Sequence, residues 1–503
     1  MSTSAEQQPS LKTAWILALL TSALGAGILF SAFPGINWTI WVVAACASLI
    51  ASRVISRGRV ERPLVVLCAW ATLLGIGFAL TANDPLQFLS VLSVAMLLGL
   101  ATITLGAENW SELSVKLLAA VPFLAPFRVI GASARAAAEA PGIVSSPRSR
   151  SIIKGAVLSV PLVVILIALL GNADAFVNLG IDRFIAWLPD WSFTGRVAFF
   201  VFLLLLTLGA NALAVSQVTA QPPRYPTISS RFTLGVTEQR MVLWSAAIVL
   251  WLFVLLQLSY FVHPPPAVIG NGISFAEFAR KGFAQLSLAV TIVGAIILVL
   301  EHARPSQINV HDQTSLRRLE IALVIALELV LISAFRRVIL YEGGYGFTEA
   351  RVFAQAYMVA MGLSLIALAW ELRDAAISVS LGRRIAEVAL GVFTVLLFWN
   401  FEAWIVNKNV DRVVASGRFD PQYLSRLSHD ATPTLVSRLS EIPQADRDTL
   451  IARLACRPIP APRRWFEWNR SIVAATTALN TWQHPPCKRE ASSVQRVPAA
   501  RSD

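Results

Sequence analysis

From Thr13 to Ser52 the chain carries no charged residue. A helix of that length would extend about 60 Å, twice the hydrocarbon thickness of a bilayer, so Pro34-Gly35 must turn the chain between two spans. Apolar runs alternating with short polar breaks then continue, predicting spans at 63–83, 85–106, 153–171, 196–217, 241–262, 282–301, 319–340, 351–370 and 385–404. Each is near the length that crosses a bilayer. The pattern predicts eleven crossings. The stretch VKLLAAVPFLAPFRVI (115–130) is short and broken by prolines, so it reads as an interfacial helix; if it crosses, the total is twelve.

After residue 405 the period changes. Leu424, Leu427, Leu435, Leu439, Leu450 and Leu454 recur at three- and four-residue steps, giving short helices one apolar face each. Asp420 is placed to cap PQYLSRLSH, and ATPTLVSRLSEI, ADRDTLIARLA and a longer RRWFEWNRSIVAATTALNTW follow. The fold class is all-α: a polytopic transmembrane bundle over 1–405 with a small extramembrane helical domain over 406–482. Residues 483–503, rich in Pro, Ser and charge, predict disorder.

Composition agrees: 56% of the residues are hydrophobic and 14% charged, against about 25% charged in soluble chains. The net charge of +12 is scattered between apolar segments and through the tail, with no basic stripe, which argues against a nucleic-acid partner. The bilayer is the partner implied. Arginines concentrate in alternate loops, 53–62, 128–154, 217–240, 302–318 and 371–384. By the positive-inside rule these face the cytoplasm, with the N-terminus, and eleven crossings put the tail outside. The tail's own fifteen Lys or Arg against nine Asp or Glu pull weakly the other way, because long tails translocate largely regardless of charge.

On that topology the polar corners gather at the outer ends of the spans. A shared outer-face cluster would contain Asp174, Glu277, Arg280, Arg336, Arg337, Tyr341, Tyr345, Glu349, Arg351, Asn400, Glu402 and Asn407. Helix ends recruit such residues anyway: Arg336 and Arg337 suit a helix C-terminus, Thr348 and Glu349 suit the next N-terminus, and Gly343, Gly344 and Gly346 permit the reversal. Glu328 differs, since it lies near the middle of span 319–340, where a charge costs on the order of 2–4 kcal/mol. It is either a functional intramembrane acid or a hydrogen-bonded packing residue.

The histidines are isolated, and no HExxH or CxxC spacing occurs, so no metal site is expected. Gly25-Ala26-Gly27 lacks the remainder of a dinucleotide fingerprint and reads as helix packing; no cofactor is implied. Trp38, Trp41, Trp187, Trp191, Trp399 and Trp404 near span ends fit an interfacial belt. Cys456 and Cys487 would form a disulfide if the tail is outside.

Five stretches, NADAF (172–176), FAEFARKGFAQL (275–286), SAFRRVILYEGGYGFTEAR (333–351), NKNVDR (407–412) and FDPQYLSRLSHDATPTL (419–435), resemble a bacterial membrane family. That family, domain of unknown function 4173, is related to domain of unknown function 4153 and is marked by a Tyr-Gly-Leu-Thr hairpin. Phe347 replaces the leucine. The resemblance implies a multi-pass inner-membrane protein and brings no catalytic residue with it. A non-enzymatic envelope scaffold, sensor or assembly partner, meeting a protein through the C-terminal helices, fits these features. A secondary transporter using Glu328 is one alternative. An enzyme acting on lipid-linked substrates, through Asp174, Asp182 and Asp190, is another.

Overall fold

The computed structural model describes residues 7–105, 115–139, parts of 148–159, 191–216, 234–262, 275–305, 308–373, 380–417, 419–460 and 462–482. Predicted span 153–171 and the last segment, 483–503, lie largely or wholly outside them.

Helices α1 (Gln7–Ile28), α2 (Ile36–Arg57), α3 (Arg62–Leu80) and α4 (Asp84–Ile103) run up and down. The turn at Pro34-Gly35 is held by Asn37, whose amide donates to the carbonyls of Ile28 and Phe33 while its oxygen accepts from the Gly35 backbone. Small residues let the helices approach: Gly25 faces Trp41 and Leu203, and Ser22 bonds Thr207 of α6 (Trp191–Val215) at 2.8 Å.

Helix α5 (Val115–Ala138) is longer than the interfacial piece expected from 115–130, with Pro122 and Pro126 inside it. It is long and apolar enough to cross. Ala125 and Val121 meet Gly99 of α4, Ser133 meets Leu205 of α6, and Ala136 meets Trp15 of α1.

The second half comprises α7 (Val236–Val262), α8 (Phe275–His302), α9 (Val310–Tyr345), α10 (Glu349–Arg373) and α11 (Ser380–Phe398). The buried apolar residues form two main cores, one over α2–α6 and one over α7–α10. Helix α11 links them, with Leu381 in the second core and Leu396 and Leu397 in the first.

Among the described residues nine helices are long and apolar enough to cross a membrane, or ten with one bent pair. Helix α9 is outside the nine because Glu320, Glu328, Arg336 and Arg337 interrupt it, but α7, α8 and α10 surround it. At 36 residues, about 54 Å, it is longer than the hydrocarbon layer.

Three expected boundaries shift. Residues 385–404 do not form one straight span: the chain bends by 64° between Phe398 and Phe401, where Asn400 caps a new helix, α12 (Phe401–Ser416). At 16 residues α12 is too short to cross, and it carries Glu402, Lys408, Asp411 and Arg412; it leaves the bundle and joins the C-terminal helices, so the expected boundary at 405/406 falls inside it. The glycine hairpin is tighter than expected, since Gly343 and Gly344 stay helical and Gly346 alone takes φ 85°. The last long helix breaks at Asn469, which accepts from Ile472 N and starts α16 (Arg470–Thr481) there.

Candidate functional site

The C-terminal helices α13 (Pro421–Leu424), α14 (Thr432–Ser437), α15 (Gln444–Ala455) and α16 form a cap over one end of the first half. Leu424, Leu427, Leu435, Leu439, Leu450 and Leu454 are buried in the same core as α3 and α4. Asp420 caps α13 by accepting from Tyr423 N at 2.9 Å. Local rules place the cap helices; a buried polar junction fixes them on the bundle.

That junction is built on the α3–α4 corner. Asn83, the N-cap of α4, spends its oxygen on Leu86 N, leaving its amide to donate to Glu349 at 2.6 Å and Glu402 at 2.7 Å. Ser428 of the cap donates to Glu402 twice, from its backbone at 3.1 Å and its hydroxyl at 2.6 Å. Asp430 accepts from the Thr81 hydroxyl and from Ala82 N at 2.8 Å. Asn400 donates to the Asp430 carbonyl, and Asn469 to the carbonyls of Phe78 and Thr81. Helix ends of the bundle thereby obtain partners from the cap.

Glu402 is 1% exposed, and burial together with the charges of Asp430 and Glu349 pushes its carboxyl up to about 8. Burial also raises Asp430, although the hydroxyls of Ser471 and Thr81 oppose it, and it raises the Tyr423 phenol, which accepts from Glu349 N. Arg457 lies nearby and donates to the Leu427 carbonyl. Burial holds His429 down at about 4, so it is neutral there.

A second junction locks the hairpin. Asn409 of α12 pairs with Phe347 both ways, at 2.9 and 2.8 Å, and Arg412 donates to the carbonyls of Gly343 and Gly344. A Cβ on Gly346 would meet the Asn409 oxygen at 2.5 Å. Phe347 packs edge-on against Trp404.

The expected outer-face residues thus separate. Glu349, Asn400 and Glu402 meet in the cap junction. Tyr341 and Tyr345 stack beside the hairpin with Arg351 over the Tyr341 ring at 4.2 Å. Arg337 turns to Gln257 of α7 instead, Arg336 sits one residue before it on α9, and Asn407 accepts from Arg438 of the cap. Asp174 lies outside the described residues, as do the side chains of Glu277 and Arg280, whose stretch forms the first turns of α8 and not a corner before it. Cys456 is disulfide-bonded, and Cys487 lies outside the described residues. Sequence reasoning missed Ser428, Asp430, Asn409 and Arg412; the Ser-x-Asp start of SHDATPT was the available signal, since Ser428 accepts from Asp430 N as a cap.

Polar groups are not confined to the cap end. At the opposite end Arg53 grips Glu61 through its Nε at 2.9 and 3.0 Å and donates to the Ala214 carbonyl at 3.0 Å. Across the second half, Arg304 pairs with Glu301 and Glu320 at 2.7 and 2.6 Å, and Arg317 donates to the Leu372 carbonyl. Glu328 faces α10, where a Cβ on Gly362 would stand 3.3 Å from its carboxylate. Among the described residues no group of three or more His, Cys, Asp or Glu is arranged to hold a metal.

In comparisons with known proteins, the pattern of the family described as Domain of unknown function (DUF4153) matches residues 68–437. That range holds Asn83, Glu349, Glu402 and Asp430. No curated protein and no solved structure matches.

Proposed function

The chain belongs to the family DUF4153, and from that premise we propose that it is a non-enzymatic membrane scaffold or sensor that offers its cap to a protein partner. The observation carrying this reading is that the carboxyls of the cap junction are already engaged. Asn83, Glu402 and Asp430 are all buried: Asn83 donates to Glu402 and Glu349, Ser428 donates to Glu402, and Asp430 accepts from the Thr81 hydroxyl and from Ala82 N. Such a junction supports a reading in which these groups fix a surface in place. The outward side of the cap carries exposed Arg453, Asp448 and Trp465, suited to a polar interface with an aromatic anchor.

The five motifs and the arginine-rich loops support a bacterial plasma membrane, kinship with domain of unknown function 4173, a cytoplasmic N-terminus and an external cap. Photocrosslinking from residues 453 and 465 in living cells tests the reading. A discrete protein adduct from both, absent from a buried control at Leu450, is expected. Adducts to lipid alone would overturn it. Labelling of Cys456, after reduction, by an impermeant thiol reagent on intact cells checks the side.

A further inference from the structure

We propose that Cys46 and Cys68 form a dithiol site inside the membrane, which gives two electrons to a lipid-soluble quinone and closes into a disulfide between α2 and α3. The proposal is independent of the cap reading.

Three contacts fix the register of the α2–α3 hairpin. The Thr39 hydroxyl donates to the Gly75 carbonyl at 2.8 Å, the Cys46 thiol to the Cys68 carbonyl at 3.7 Å, and Arg53 Nε to Glu61 at 2.9 Å. Each advance of seven residues on α2 is matched by a retreat of seven on α3, so the two cysteines stand opposite each other in the middle of one antiparallel seam. The helices are close there. A Cβ on Gly75 would stand 3.2 Å from that of Val42, one turn before Cys46. The Cys46 sulfur reaches the backbone of α3 and lies within hydrogen-bonding reach of the Cys68 thiol and the Thr72 hydroxyl. Two sulfurs that already meet across a close seam need little backbone movement to bond.

Both thiols are free, at 4% and 3% exposure. No third His, Cys, Asp or Glu joins them among the described residues, so the pair is suited to sulfur-to-sulfur chemistry and not to a zinc site. Depth selects the oxidant. Cys46 is about 16 Å along α2 from Arg57, and Cys68 about 9 Å along α3 from Arg62, so charged oxidants such as glutathione disulfide stop short of them. Ala47 and Ala69, the next residue on each helix, are exposed on the outer surface of the bundle, as are Val43 and Val65. A quinone dissolved among the lipid tails therefore comes within one residue of each sulfur. Two S–H bonds break and one S–S bond forms; the two electrons and two protons pass to the quinone, which leaves as quinol. The product ties α2 to α3 between the Thr39–Gly75 and Arg53–Glu61 contacts.

The test uses the full chain in liposomes, reduced first, with decylubiquinone or oxidised glutathione as the oxidant. Peptide mass spectrometry is expected to find Cys46 linked to Cys68 after quinone treatment, at least about tenfold more than after glutathione. Quinol should appear with the link, and its yield should fall by one per chain in Cys46→Ser and in Cys68→Ser. In Cys46→Ser with Ala47→Cys the new thiol faces the same lipid but leaves the seam, and it should not link to Cys68. Cys46 and Cys68 still free to alkylate, once the quinone-treated chain is unfolded, would overturn the proposal. So would an equal yield with glutathione, which places the site within reach of water, or an equal yield from the displaced thiol, which denies the register any role.

Discussion

At the cap end, Asn83, Ser428 and the backbone of Ala82 donate to Glu402 and Asp430, whereas at the opposite end Arg53 and Arg304 meet glutamates directly. Both arrangements give buried acids partners where helices end. One bonds the carboxyls through neutral donors, with Arg457 nearby but bonded to the Leu427 carbonyl; the other bonds them to cations directly. The first should respond to pH and tolerate salt, and the second should fail when either partner is removed.

The largest effect is expected from Arg53→Ala, which orphans Glu61 in a buried site and should cost about 3–5 kcal/mol. Joint replacement, Arg53→Met with Glu61→Leu, should be nearly neutral. Thermal unfolding of the purified protein distinguishes the two, and equal losses would mean that packing, not charge, holds that end.

Asn83→Ala removes the donor shared by Glu349 and Glu402 and the N-cap of α4. A loss of about 2–4 kcal/mol is expected, confined to the cap end and read as faster proteolysis of residues 419–482.

The pH response comes next. Glu402 is raised from 4.5 to about 8 in the folded chain, so the fold holds its proton more tightly than the unfolded chain does. Its contribution is full below about 4.5 and is lost as pH rises through about 8. The unfolding temperature of the cap end should therefore fall from about pH 5 to about pH 9, and Glu402→Gln should flatten the slope. An unchanged slope in the variant would assign the response to another group. Smallest is Tyr423→Phe, about 1 kcal/mol, because the phenol accepts one bond from Glu349 N.

Much of the architecture was legible along the chain. The uncharged run broken by Pro34-Gly35 required two helices, and leucines at three- and four-residue steps required helices with one apolar face. Asp420 acts locally, bonding a backbone N–H three residues on, so its surroundings carry its signal; Asn400 does the same, but the span expected over 385–404 ran through it. The junction was only half legible. Glu349, Asn400 and Glu402 stood out as charge or amide beside a span, but Asp430 is 349 residues from the Thr81 hydroxyl it holds. Nothing in SHDATPT marks that distance.

The sequence by itself determined that the chain is helical and that each helix must bury an apolar face, because burial and backbone satisfaction act within a few turns of one chain. Only the tertiary structure decided that Glu402 shares a donor with Glu349, that Arg337 turns away to Gln257, and that Glu328 lies against Gly362. Apolar faces are interchangeable in what they demand, so periodicity does not say which one meets which. A hydrogen bond is made only where packing has already brought its two ends within about 3 Å.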